Sequence, residues 1–170
     1  QYFGATPRDF LAVATPGAGK TTFALTVAAE LLSRRVIERV LVVAPTEHLK
    51  VQWAAAAERV GIPLDPGSSR RSSKDFVGTA VTYAGVAANP NGLRVRVDRF
   101  KTLVILDEIH HAGDALSWGE AVREAFEPAT RRLALTGTPF RSDINPIPFV
   151  TYAPGEDGVP RSVADFVYGY

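Results

Sequence analysis

The chain has no cysteine and no methionine among its 170 residues. Without thiols there can be no disulfide and no thiolate-held zinc, which fits a reducing cytoplasm. The missing methionine, with Gln1 in first place, leads us to expect a piece of a larger protein. No apolar run approaches the roughly 20 residues a membrane-spanning helix needs, and the start carries no secretory leader pattern. No membrane partner is expected. An excess of one charge is lacking too, since 19 Lys and Arg stand against 18 Asp and Glu, for a net charge of +1. That balance argues against a binder relying on a strongly basic surface, although backbone N–H groups and hydroxyls can still hold phosphates locally. The length suits one ordinary domain with its own core.

The most informative stretch is Ala14-Thr15-Pro16-Gly17-Ala18-Gly19-Lys20-Thr21. An apolar run, Phe10–Ala14, leads in, and a helix-compatible run from Thr21 leads out. Small residues let successive N–H groups turn towards phosphate oxygens, and the following helix adds its positive end. Pro16, Gly17, Ala18, Gly19, Lys20, Thr21 and Thr22 are therefore the expected nucleotide-binding residues. Lys20 would reach the β- and γ-phosphates and the Thr21 hydroxyl would ligate Mg²⁺. Ala14 stands where the usual pattern has glycine.

Five apolar, β-branched-rich segments read as strands: Phe10–Ala14, Val40–Ala44, Thr79–Tyr83, Leu103–Leu106 and Leu133–Thr136. Such continuous apolar strands are buried on both faces, as in a parallel sheet covered by helices. Helices are expected over Thr21–Arg35, Glu47–Val60 and Ser117–Phe126, the last stopped by Pro128. The result is an α/β, three-layer domain with ligand sites at the carboxyl ends of its strands. Ile62–Asp75, rich in Pro, Ser and Gly and carrying Arg70 and Arg71, reads as a surface loop with solvated arginines. We place the domain at residues 1–142 and read 143–170, punctuated by prolines and glycines, as an extended exit segment.

Leu103–Leu106 runs into Asp107-Glu108-Ile109-His110-His111. Neighbouring side chains of an extended chain diverge, so one acid can face a metal while the next faces the attacking water. Asp107 is the expected magnesium residue and Glu108 the expected general base. The bland alternative is two acids that end a strand. His110 and His111 invite a metal-pair reading, but no third ligand is evident.

Asp107-Glu108-Ile109-His110 is a variant of the Asp-Glu-x-His box, and with it the chain resembles the first RecA-like motor domain of a superfamily 2 DEAD/DEAH-box-type helicase. Pro45-Thr46-Glu47-His48-Leu49-Lys50-Val51-Gln52-Trp53, Val81-Thr82-Tyr83 and Leu135-Thr136-Gly137-Thr138-Pro139-Phe140 match further motifs in the family's order. The resemblance covers about residues 10–142. It looks closest to the branch of DNA-repair helicases and restriction-enzyme motor subunits. It implies a RecA-like P-loop fold, ATP and Mg²⁺ as cofactors, and ATP-driven movement along DNA, with RNA not excluded. It makes Lys20, Asp107, Glu108 and His110 catalytic. Pro45, Thr46, His48, Thr82 and Tyr83 become candidates for the nucleic-acid backbone, with local packing as the other reading of His48 and Tyr83. Thr136, Gly137 and Thr138 become a coupling loop. It also implies a second RecA-like domain as partner, whose cross-cleft arginine is typically worth about 10³–10⁵ in rate in related phosphoryl-transfer systems. The 170 residues alone are thus expected to be monomeric and nearly inactive. Readings from other directions are the motor subunit of a restriction or anti-phage system and a P-loop ATPase that does not act on nucleic acid.

Overall fold

The computed structural model describes residues 8–14, 19–67, 73–113, 116–137, 148–150, 152–154 and 160–168. Strands β1 (Asp9–Ala14), β2 (Arg39–Ala44), β3 (Leu64–Asp65), β4 (Gly78–Thr82), β5 (Thr102–Leu106), β6 (Arg131–Thr136) and β9 (Phe166–Tyr168) form one sheet in the order β3-β4-β2-β5-β6-β1-β9. Every ladder in it is parallel. A second, two-stranded antiparallel sheet pairs β7 (Tyr152–Pro154) with β8 (Pro160–Ser162).

Alternation along the strands builds the two outer layers. Phe10, Ala12, Val40, Val42, Leu103, Ile105, Leu133 and Leu135 point to one face, under helices α1 (Lys20–Ser33) and α2 (Glu47–Arg59). Leu11, Val13, Leu41, Val43, Val104, Leu106 and Ala134 point to the other, under α3 (Tyr83–Ala88), α4 (Pro90–Arg99) and α5 (Leu116–Phe126). Because both faces are covered, the central strands are apolar at nearly every position. The five expected strands and three expected helices are all present, with ends within a residue or two.

Several elements differ from the sequence reading. Tyr83 is the first residue of α3, because the Thr82 hydroxyl accepts from the Gly85 N–H at 3.0 Å and starts a helix at once. Helix α4 was not expected. Its Pro-Asn-Gly start and alternating Arg and Val hide a capped helix, in which Asn89 accepts from the Gly92 N–H and only Leu93 and Val97 are buried. Ile62–Asp75 is not loop throughout, since Leu64–Asp65 pairs with β4 and Ser73–Asp75 forms a 3₁₀ turn; Arg70 and Arg71 lie outside the described residues. Within 143–170, β9 lies beside β1. Asp165 fastens it there, accepting from the Leu11 N–H at 2.7 Å and donating its own N–H to the Leu11 carbonyl at 2.9 Å.

One glycine is required by contact. A Cβ on Gly78 would sit 1.6 Å from the Val40 carbonyl oxygen, so β4 can lie this close to β2 only without a side chain there. A cavity of about 560 Å³ opens at the amino ends of β2, β4 and β5, beside Arg39, Gly78 and Thr102. It lies at the opposite end of the sheet from the acids that follow β5.

Candidate nucleotide site

The strand order brings the site together. Since β6 lies between β5 and β1, the residues just after these three strands converge at the carboxyl edge. Lys20, at the start of α1, reaches across to the acids that follow β5. Its ammonium is ion-paired with Glu108 Oε1 and stands 3.9 Å from Asp107 Oδ1. Gly137, immediately after β6, donates its N–H to Glu108 Oε2 at 3.2 Å. His110 Nδ1 lies 3.5 Å from the same oxygen.

Helix α1 is prepared differently from its neighbours. Thr46, Thr82 and Asn89 cap α2, α3 and α4 with side-chain oxygens, whereas Gly19 caps α1 without one and adopts the left-handed φ of 82°. There is no acid in the first turn of α1. An anion supplied from outside suits that end. Thr21 and Thr22 lie in the same turn. Pro16, Gly17 and Ala18 lie outside the described residues, as does Thr138.

Asp107 is the buried acid of the site. Its pKa is pushed up, first by loss of solvent; the adjacent Glu108 charge adds to the rise, while the Trp53 indole and the Lys20 charge oppose it. Glu108 is more exposed and adopts φ 46°, a left-handed conformation rare for a long side chain and a form of backbone strain found at functional sites. The two acids do not diverge: the chain turns at Glu108, and both carboxylates face the Lys20 ammonium. The divergence expected of an extended strand end is therefore absent, because β5 ends at Leu106. His110 and His111 lie side by side. They follow one another in a 3₁₀ helix, Ile109–Gly113, with ring centroids 4.5 Å apart. Among the described residues no three His, Cys, Asp or Glu gather as a metal cage.

The nucleic-acid candidates separate into two groups. Pro45 is half-buried, and Thr46 and His48 are exposed at the start of α2, where Thr46 accepts from the Leu49 N–H and His48 meets Gln52 at 3.0 Å. Thr82 is buried, and Tyr83 is fully buried, with its hydroxyl donating to the Asp107 carbonyl at 2.7 Å. The Tyr83 side chain is thus packed beneath the strand ends, the second of the two readings given for it, and is not exposed to a nucleic-acid backbone. Thr136 is buried at the end of β6.

Sequence reasoning passed over Trp53 as a site residue. Its indole N–H donates to Asp107 Oδ2 at 2.9 Å, and the ring is 4% exposed. The available signal was a lone tryptophan beside four alanines, since a buried indole N–H requires an acceptor.

The donor set fits a magnesium–triphosphate. An ammonium and a helix end without a side-chain cap suit phosphate oxygens, and a hydroxyl with a carboxylate oxygen suits a small hard cation that keeps most of its water. The fold is that of RecA-like helicase motor domains. The chain superimposes on the Hef helicase domain of Pyrococcus furiosus with a TM-score of 0.62 at 23% identity, covering 80% of this chain and 31% of that one. The SWI2/SNF2 ATPase core of Sulfolobus solfataricus, solved with dsDNA, gives 0.61 at 21%, covering 76% and 28%. Residues 2–141 match the family described as type III restriction enzyme, res subunit, and the chain belongs to that family. A Mycobacterium tuberculosis relative, uncharacterized protein Rv2917, is 63% identical over the whole chain, which spans 29% of that relative's length. The molecule thus joins a RecA-like fold to membership of the res-subunit family.

Proposed function

We propose that this domain binds ATP and Mg²⁺ at the Lys20–Asp107–Glu108 edge and, with a second RecA-like domain, hydrolyses ATP to drive movement along DNA. The observation that carries the reading is the convergence of Lys20, Glu108 and the Gly137 N–H, with Asp107 3.9 Å from the same ammonium. ATP supplies the transferable phosphoryl group, and Mg²⁺ neutralises its charge. Lys20 and the start of α1, including Thr21 and Thr22, hold the phosphates, while Thr21 and Asp107 hold the cation. Glu108 is the base for the attacking water. In its paired state one oxygen is occupied by Lys20 and the other by Gly137, so withdrawal of Lys20 towards phosphate frees a carboxylate oxygen to take a proton. His110 and Gly137 touch that carboxylate, and with Thr136 and Thr138 on either side of Gly137 in the sequence they are suited to report its state.

Thr46 and His48 at the exposed start of α2, with half-buried Pro45 before them, offer hydroxyl, ring and N–H contacts to a phosphate backbone, which hold a strand without reading its bases. Membership of the restriction-enzyme res subunit family favours a second setting for the same motor, in which translocation serves a restriction or anti-phage system. ATP hydrolysis by the full-length protein, measured with and without DNA, tests the reading. DNA-stimulated turnover is expected. A DNA-indifferent ATPase, or no hydrolysis, would contradict it.

A further inference from the structure

Asp107 is gripped at three points besides the ion pair. Its N–H donates to the Val43 carbonyl at 2.9 Å, extending the β2–β5 ladder by one bond. Its carbonyl accepts from the Tyr83 hydroxyl at 2.7 Å, and Oδ2 accepts from the Trp53 indole at 2.9 Å. The two side chains come from opposite layers, Trp53 from the α2 side of the sheet and Tyr83 from the α3 side. Both are almost wholly buried.

Each contact constrains a different atom. The indole takes Oδ2 and so leaves Oδ1, 3.9 Å from Lys20, as the oxygen turned to the site. The phenol takes the carbonyl of the peptide joining Asp107 to Glu108. The plane of that peptide defines φ of Glu108, which is held at the strained value of 46°. Hydrogen bonds made to charged groups and to buried carbonyls orient their partners when no water competes.

The geometry points to Trp53 and Tyr83 as two positioning residues with separate duties: Trp53 aims the Asp107 carboxylate at the cation, and Tyr83 sets the peptide that aims the Glu108 base. The inference rests on the proposed function. It predicts that the two duties come apart by mutation, because the cation contributes to nucleotide binding whereas the base contributes to turnover.

The test uses the full-length protein with Trp53→Phe and Tyr83→Phe. Affinity for a fluorescent non-hydrolysable ATP analogue is measured with and without Mg²⁺, beside kcat with DNA. In Trp53→Phe the gain in affinity given by Mg²⁺ shrinks about tenfold while Mg²⁺-free affinity stays at the parent value. In Tyr83→Phe both affinities stay and kcat falls about ten- to a hundredfold. Leu31→Ala, a truncation in the same layer as Trp53, controls for loss of stability and leaves the Mg²⁺ gain unchanged. Tyr83→Phe removes a single oxygen, so its arm stands even where Trp53→Phe folds poorly. Variants that lower Tm but keep both the Mg²⁺ gain and kcat overturn the proposal, as do two variants with the same pattern of loss. A parent protein whose nucleotide affinity ignores Mg²⁺ overturns the functional reading, and this inference with it.

Discussion

Lys20 and Glu108, 88 positions apart in the chain, form an ion pair across the carboxyl end of β6. A triphosphate that takes the ammonium must therefore draw it away from the carboxylate proposed as base. Lys20→Ala removes the phosphate ligand and lowers nucleotide affinity at least tenfold. Glu108→Gln removes the competitor for the ammonium, so affinity holds or rises, while turnover falls about 10²–10⁴-fold with loss of the base. Equilibrium binding and steady-state hydrolysis, run side by side on both variants, check this. Equal loss of affinity in the two would undo the division of roles.

Asp107 makes the site costly to the fold. Burial raises its pKa above the ordinary 3.8, so the native state holds this proton more tightly than the unfolded chain. Its contribution to stability is fully present below pH 3.8 and is lost as pH rises through the native value. Asp107→Asn keeps an acceptor for Trp53 without the buried charge, so at pH 7 its urea midpoint lies above that of the parent. The advantage narrows as pH falls towards 4. A variant less stable than the parent at neutral pH would contradict the argument.

Two glycines separate steric from conformational need. Gly78→Ala drives a Cβ into the Val40 carbonyl and must part β4 from β2, at a cost of about 3 kcal/mol or more. Gly61 has φ 80° and open space around it, so Gly61→Ala costs only the strain of a left-handed alanine, about 1–2 kcal/mol. Urea unfolding of the two variants gives the ranking.

Arg132 joins three parts of the domain. Its guanidinium pairs with both oxygens of Asp9 at the start of β1, donates to the Phe126 and Glu127 carbonyls at 2.9 and 3.1 Å, and lies 3.9 Å from the Phe149 ring centre. The Arg132 side chain is 6% exposed, whereas Asp9 keeps contact with water at 39%. Arg132→Ala should cost about 2–3 kcal/mol, below the range for fully buried pairs. Arg132→Lys recovers less than half, because an ammonium cannot serve a carboxylate and two carbonyls in one plane. Thermal unfolding of both variants measures the difference.

What could be read from the sequence was whatever repeats along a short stretch. β1, β2, β4, β5 and β6 are continuous apolar runs, and α1, α2 and α5 carry apolar faces at helical spacing, so each declares itself locally. The acids after β5 and the lysine after β1 are paired by their chemistry alone, since a magnesium–triphosphate needs both. What escaped depends on partners far along the chain. Phe166–Tyr168 is three residues whose strand character comes from β1, and Leu64–Asp65 needs β4. Helix α4 buries two residues and takes its start from the Asn89 cap more than from any amphipathic stripe. The turn at Glu108 and the Trp53 bond to Asp107 arise from the packing of both helical layers against one strand end, and residues 107–111 alone contain no trace of it.

The central claim is that Lys20, Asp107 and Glu108 share one magnesium–triphosphate. A crystal structure of the full-length protein with a non-hydrolysable ATP analogue and Mg²⁺ tests it most directly. We predict the Lys20 ammonium on the β- and γ-phosphates and released from Glu108, with Asp107 Oδ1 turned to the cation directly or through one water. An analogue bound elsewhere, with the Lys20–Glu108 pair still closed, would contradict the account.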